Sequence, residues 1–328
     1  MGNNTAVEVK NLIVHYETEE GIVEAVNNVS FSIEKGEVMG LVGETGAGKT
    51  TIALSIMGLL PHPPAKMYSG EIYLDGEDLT KKSLKEMQKI RGKKASMVFQ
   101  DPMTALNPVI KVGDQITEVI KLHDPSLSDA EAQKKAIDML EMVGIKGDRF
   151  EEYPHQFSGG MKQRVIIAIA LACQPELIIA DEPTTALDVT IQAQVMEMMK
   201  SLQHELNTAM LLITHDFGIV ANICQKCAVI YAGEIVESGT VAHIFDNPMH
   251  PYTKGLFGSI PSLDKDVERL TPIKGQVVDP TDLPEYCSFY NRCDYCTEKC
   301  KECDPKLVEV EPGHFVKCIH VMQGAEEG

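Results

Sequence analysis

No apolar run in this 328-residue chain approaches the ~20 residues that a membrane helix needs; the longest, at 165–173, ends at Gln174-Pro175. The chain is therefore not expected to span a bilayer. Its start has no basic stretch followed by an apolar core, and Ala6 stands where a myristoylation motif takes Ser or Thr, which predicts a cytoplasmic protein. Positive charge is also scarce: 30 Lys and Arg against 48 Asp and Glu leave −18, with a pI near 5.0. Binding along a phosphate backbone needs local positive charge, so no nucleic-acid partner is expected. Internal repeats and low-complexity segments are missing too. The remaining balance, 44% hydrophobic and 24% charged, is that of a globular protein rather than a disordered one, with room for one large domain or two modest ones.

Cysteine is present in excess, but in one place. Six of the nine (Cys287, Cys293, Cys296, Cys300, Cys303, Cys318) fall within 32 residues, where even scatter would put about one. In a chain read as lacking an export signal, a metal site is favoured over a disulfide framework.

Apolar patterning divides the chain. Val29, Phe31 and Ile33 alternate with polar residues, and 38–42 is a short apolar run of buried-strand type. A glycine-rich loop follows, then a helical stretch over 51–60 stopped by Pro61, Pro63 and Pro64. From 101 to 172 the signals are mainly helical, with a capping box at Ser128 to Glu131 and apolar residues at helical spacing up to Gly144. Strand and helix alternate again from Leu177: strands near 177–180, 210–213 and 228–231, helices over 188–206 and 217–224. Beyond about 245 prolines recur and periodicity fades, which places a boundary near 250.

The loop Gly43-Glu44-Thr45-Gly46-Ala47-Gly48-Lys49-Thr50 matches the Walker A pattern G-x-x-x-x-G-K-[ST] between a strand and a helix. Glycines let successive amides point inward, and the helix N-terminus adds partial positive charge beside a polyphosphate. Lys49 is expected to reach the β- and γ-phosphates of ATP, and Thr50 to offer a hydroxyl to Mg²⁺. The apolar run 177–180 ends in Asp181-Glu182. Asp181 reads as the second Mg²⁺ anchor, and Glu182 as the group that orients or deprotonates water.

Further motifs stand in order. Phe157-Ser158-Gly159-Gly160-Met161-Lys162-Gln163-Arg164 resembles the signature of ABC transporters, Gln100 their Q-loop glutamine, Thr185-Ala186-Leu187-Asp188 their D-loop and His215 their switch histidine. Tyr16 resembles the A-loop aromatic that stacks on adenine. The resemblance covers about residues 7–245. It implies an α/β P-loop NTPase fold, a RecA-like ABC nucleotide-binding domain formed by 1–100 and 173–250. An inserted helical subdomain would occupy 101–172, and a small cysteine-rich extension 251–328. It further implies a nucleotide site of Tyr16, Gly43 to Thr50 and Thr51, closed by Ser158, Gly159, Gly160 and Asp188 of a second cassette arranged head to tail. Mg²⁺ would sit on Thr50, Gln100 and Asp181, with Lys49, Gln100, Glu182 and His215 serving hydrolysis.

The segment 98–108 (Val-Phe-Gln-Asp-Pro-Met-Thr-Ala-Leu-Asn-Pro), Tyr153-Pro154-His155-Gln156 and His250-Pro251-Tyr252-Thr253 resemble the dipeptide and oligopeptide importer branch. That implies two membrane permease subunits, an extracellular substrate-binding protein, and pairing with itself or with a second related ATPase at the cytoplasmic face of the membrane. Import of nickel or another small solute is the alternative, then a soluble ABC ATPase without membrane partners or an iron-sulfur sensor. Relatives in this branch carry a cysteine motif that holds a [4Fe-4S] cluster, and Cys287, Cys293, Cys300 and Cys318 fit its spacing. Zinc on Cys293, Cys296, Cys300 and Cys303 is the rival. Cys173, Cys224, Cys227 and the Met196, Met198, Met199 group read as packing residues.

Overall fold

The computed structural model describes residues 4–100, 102–184, 187–259 and 272–326; expectations that fall on 1–3, Asp101, Thr185, Ala186 or Pro261 lie outside them. Period-2 alternation builds a first sheet. The hairpin of β1 (Thr5–Thr18) and β2 (Gly21–Glu34) pairs antiparallel, through β1, with β4 (Ala65–Leu74), and the short β5 (Glu77–Asp78) completes the order β2-β1-β4-β5.

Continuous apolar runs build the second sheet. In it β3 (Val38–Val42), β6 (Ala95–Val98), β7 (Leu177–Asp181), β8 (Ala209–Thr214) and β9 (Lys226–Tyr231) run parallel. Every residue of β3 and β7 is buried, as in strands covered on both faces. Met39, Leu41, Ile179 and Ile213 share a core with the first sheet and with α1 (Lys49–Met57). Their neighbours Val38, Val42, Ile178 and Leu212 point the other way, into the helical layer. The expected helix over 51–60 thus starts at Lys49 and ends early, because Gly58 adopts φ 59° and returns its N–H to the Leu54 and Ser55 carbonyls. α2 (Leu84–Ile90) follows.

Among the described residues, 102–172 contain no strand. α3 (Pro102–Ala105), α4 (Val112–His123), α5 (Asp129–Met142) and α6 (Gly159–Leu171) occupy that stretch, and α5 opens on the Ser128/Glu131 capping box. The main chain then returns to the sheet at β7, and α7 (Val189–Leu206) and α8 (Phe217–Ile223) connect β7 to β8 and β8 to β9. Cys224 and Cys227 are buried in this core, as are Met196 and Met199.

The C-terminal part is more regular than its prolines suggest. After β10 (Glu234–Thr240), α9 (Val241–Asp246) and α10 (Pro251–Gly258), the hairpin of β11 (Val308–Glu311) and β12 (His314–Val316) joins the main sheet beside β10, before α11 (Ile319–Glu326). The order is β11-β12-β10-β9-β3-β8-β7-β6. One buried carboxylate ties this region together: Glu237 of β10 accepts from the Met249 and His250 amides at 2.7 and 3.0 Å and from His314 Nε2 at 2.9 Å.

Candidate functional site

The loop between β3 and α1 is a turn that side chains would obstruct. Gly46 and Gly48 take φ of 83° and 99°, and a Cβ on Gly48 would lie 2.2 Å from the Ala25 carbonyl oxygen. α1 starts without a side-chain cap, so its first amides remain available to an anion. Lys49 is nearly buried and donates from Nζ to the Gly43 and Glu44 carbonyls at 2.8 and 2.9 Å. Burial pushes its pKa down, opposed by the negative charges of Glu182, Asp181 and Glu44.

The acidic pair stands opposite. Asp181, the last residue of β7, is 4% exposed and accepts from Thr50 Oγ1 at 2.9 Å. Burial raises its pKa and the Thr50 bond partly offsets that rise. Such a hydroxyl–carboxylate pair at a phosphate loop suits Mg²⁺, which takes one or two carboxylates and completes its shell with phosphate and water. Glu182 turns sharply out of the strand in the left-handed region, φ 45°, with its amide bonded to the Ile213 carbonyl at 2.9 Å. That turn brings its carboxylate to Gln100 Nε2 at 3.0 Å and to within 3.4 Å of His215 Nδ1. Thr45, Lys49, Thr50, Gln100, Glu182 and His215 thereby line one cavity of about 480 Å³. Tyr16 reaches the same helix start, its hydroxyl 3.2 Å from Thr51 Oγ1.

Four expected residues lie elsewhere on this chain. Ser158 caps α6 by accepting the Met161 amide at 3.4 Å, and Asp188 caps α7 by accepting the Ile191 amide at 3.0 Å. Gly159 and Gly160 face the start of α7, where a Cβ on Gly160 would meet Ile191 Cγ2 at 2.5 Å. The two helix starts adjoin one another and do not line the cavity around Lys49.

Sequence reasoning missed three contributors. Ala25 supplies the carbonyl against Gly48; Tyr252 accepts the Glu44 amide on its hydroxyl at 3.0 Å; Arg292 grips the Glu44 carboxylate. Tyr252 had been singled out as a family mark, whereas nothing local in the sequence ties Arg292 to a loop 248 residues away.

The cysteine cluster is a separate site. Cys287, Cys293, Cys296, Cys300 and Cys318 line, with His320, a cavity of about 20 Å³, roughly the room of one water. Burial, and to a lesser degree the neighbouring thiols, pushes the Cys287 thiol up to about 12 and Cys293 to about 11. Cys303 is exposed, and Cys300 Sγ lies 3.6 Å from His320 Nε2. The donor chemistry suits a thiophilic metal or cluster, since clustered buried thiolates require a cation. Among the described residues, however, no group of three or more His, Cys, Asp or Glu side chains is arranged to hold a metal ion.

Residues 26–185 match the ABC transporter family model, and residues 236–300 match the model of the oligopeptide/dipeptide transporter C-terminal region. The oligopeptide transport ATP-binding protein OppD of Bacillus subtilis is 49% identical over 95% of this chain and 87% of its own length. The dipeptide transport ATP-binding protein DppD of the same organism is 48% identical over 98% of this chain and 96% of its own. Among solved structures, the ATP-binding cassette MJ0796 in a dimeric post-hydrolysis state with ADP and Pi superposes with a TM-score of 0.64 at 30% identity, covering 72% of this chain and 98% of that one. The phosphate loop, the acidic pair beside it and this likeness along nearly the whole length place the chain in the ABC transporter family, among the ATP-binding subunits of its oligopeptide/dipeptide branch.

Proposed function

We propose that this chain hydrolyses ATP to power import of dipeptides or oligopeptides. The observation that carries the reading is the convergence of Lys49, Thr50 and Glu182, held by Gln100 and beside His215, on one cavity at the end of a parallel sheet, with Asp181 behind it on the Thr50 hydroxyl. In this reading Lys49 and the loop amides hold the phosphates, and Thr50, Asp181 and Gln100 serve Mg²⁺. Glu182 directs water at the γ-phosphate, His215 assists it, and Tyr16 stacks on the base. Likeness to OppD and DppD supports peptides as cargo over nickel or another solute.

Ser158, Gly159, Gly160 and Asp188 lie outside the Lys49 cavity of their own chain, which supports a head-to-tail pair in which each cassette completes the other's site. The partner is a second copy or a related ATPase. Closure of the pair on ATP would drive two permease subunits through the segment after Gln100, with a binding protein delivering peptide from outside. No helix among the described residues is long and apolar enough to cross a membrane. In this reading the chain works from the cytoplasmic face beside those subunits, as its likeness to transport ATP-binding proteins supports. The helical stretch 101–172 is taken as a subdomain inserted into a core of 1–100 and 173–250, and 251–328 as an extension.

For the extension we favour a [4Fe-4S] cluster on Cys287, Cys293, Cys300 and Cys318. Their lining of one cavity supports this set, and the exposure of Cys303 weighs against the zinc alternative. Absorption near 400 nm and iron content of anaerobically purified protein test it; stoichiometric zinc without iron refutes it. The transport reading is tested by uptake of labelled peptides in cells lacking this chain. Uptake should return with the native chain and not with Lys49→Ala, and equal return with both refutes it.

A further inference from the structure

The cysteine-rich extension touches the phosphate loop directly. Arg292, next in sequence to Cys293, sends its guanidinium to both carboxylate oxygens of Glu44, Nη1 to Oε2 at 2.6 Å and Nη2 to Oε1 at 3.0 Å. Its side chain is 5% exposed, and that of Glu44 30%. The guanidinium is itself held in place: Nε donates to the Lys274 carbonyl at 3.1 Å, and the Tyr231 and Phe289 rings lie beneath it at 5.7 and 5.9 Å. A two-point fork fixed in this way sets direction as well as charge.

Glu44 is thus held by every polar group it has. Its amide donates to Tyr252, its carbonyl accepts Lys49 Nζ, and its carboxylate meets Arg292. The same carboxylate lies within electrostatic reach of the Lys49 ammonium. A loop built to receive a polyphosphate therefore carries a negative side chain in its first turn. Left uncompensated, that charge repels the nucleotide and competes for Lys49.

We propose that Arg292 is a positioning residue for nucleotide binding: it draws the Glu44 carboxylate away from Lys49, neutralises it, and so makes the phosphate loop's affinity depend on the docked extension. The proposal rests on reading the loop as an ATP site. It also places the second of the clustered cysteines one residue from a contact with that site, so whatever rearranges the thiols moves the fork.

Mant-ATP with Mg²⁺, titrated into the full-length chain by fluorescence, tests it, with thermal melting recorded alongside. Arg292→Met should weaken binding about ten-fold by leaving Glu44 unpaired. Measured against Glu44→Gln as its own baseline, adding Arg292→Met should change binding by less than about two-fold, a loss of the penalty that a merely structural role would not give. Should Arg292→Met lack a cooperative melt, Arg292→Lys carries the test: it keeps the charge, loses the fork, and should weaken binding about three-fold in the native chain but not on the Glu44→Gln background. Native binding with an unchanged affinity in the Arg292 variant, or the same fold-loss or no binding at all on the Glu44→Gln background, overturns the proposal alone. A native chain that binds no nucleotide overturns the ATP reading and this proposal together.

Discussion

The carboxylate of Glu237 is the hinge pin of the C-terminal region, and removing it has a calculable consequence. It is fully buried and receives three donors: Oε1 from the Met249 amide and His314 Nε2, Oε2 from the His250 amide. Glu237→Gln keeps the shape and the Oε1 acceptor but turns an NH₂ toward the His250 amide. One bond is lost and two donors face each other, at about 1–3 kcal/mol. Glu237→Ala strands all three donors, each costing about 1–3 kcal/mol when left buried and unpaired, so its loss should exceed that of the amide variant. Urea unfolding read by circular dichroism measures both values. Hydrogen exchange over 314–316 should accelerate in the same order, because β12 meets β10 through only the Glu237–Val316 and Ser238–Phe315 register pairs. If Glu237→Ala loses less than about 1 kcal/mol, or if the amide and alanine variants are equal, Glu237 does not anchor this region and the reasoning fails.

Glu182→Gln should let the partner-complete assembly bind ATP but slow its hydrolysis by about 10² or more, read as nucleotide retained after gel filtration; unimpaired phosphate release contradicts the role given to that carboxylate. Because burial raises the pKa of Asp181, the folded chain holds its proton more tightly than the unfolded one, and ionising it at neutral pH costs stability. Asp181→Asn should therefore raise the melting temperature of the nucleotide-free chain while abolishing extra stabilisation by Mg²⁺ with ATP. For the native chain that stabilisation should fade on acidification at a higher pH than an ordinary aspartate would give. Gly48→Ala should abolish mant-ATP binding, since its Cβ would need the space of the Ala25 carbonyl; retained affinity shows that the loop can yield.

The parts of the site that sequence made legible are local. Spacing of Gly43, Gly48 and Lys49 between an apolar strand and a helix is a short-range pattern, as are the run into Asp181-Glu182 and the serine before α6. Pairing between distant segments leaves no such trace. β4 docks on β1 some fifty residues earlier, and Arg292 reaches Glu44 from the far end of the chain. The β11–β12 hairpin carries a local signal, Val308 and Val310 alternating with glutamates before Pro312-Gly313, set within a stretch dominated by cysteines and prolines. The end of α1 was misplaced for a similar reason: three prolines advertised a stop that Gly58 had already made.

The β11–β12 hairpin also decides what the principal sheet shows to other molecules at one margin. Without it, the middle of β10, which pairs with β12 at Glu237 and Ser238, would present its amides and carbonyls to other chains, an invitation to strand-by-strand adhesion. With it, the outermost strand is the four-residue Val308–Glu311, whose Glu309 and Glu311 are solvent-facing and acidic. A short, like-charged border resists strand-by-strand pairing, so the tail that carries the cysteines also guards this margin of the sheet.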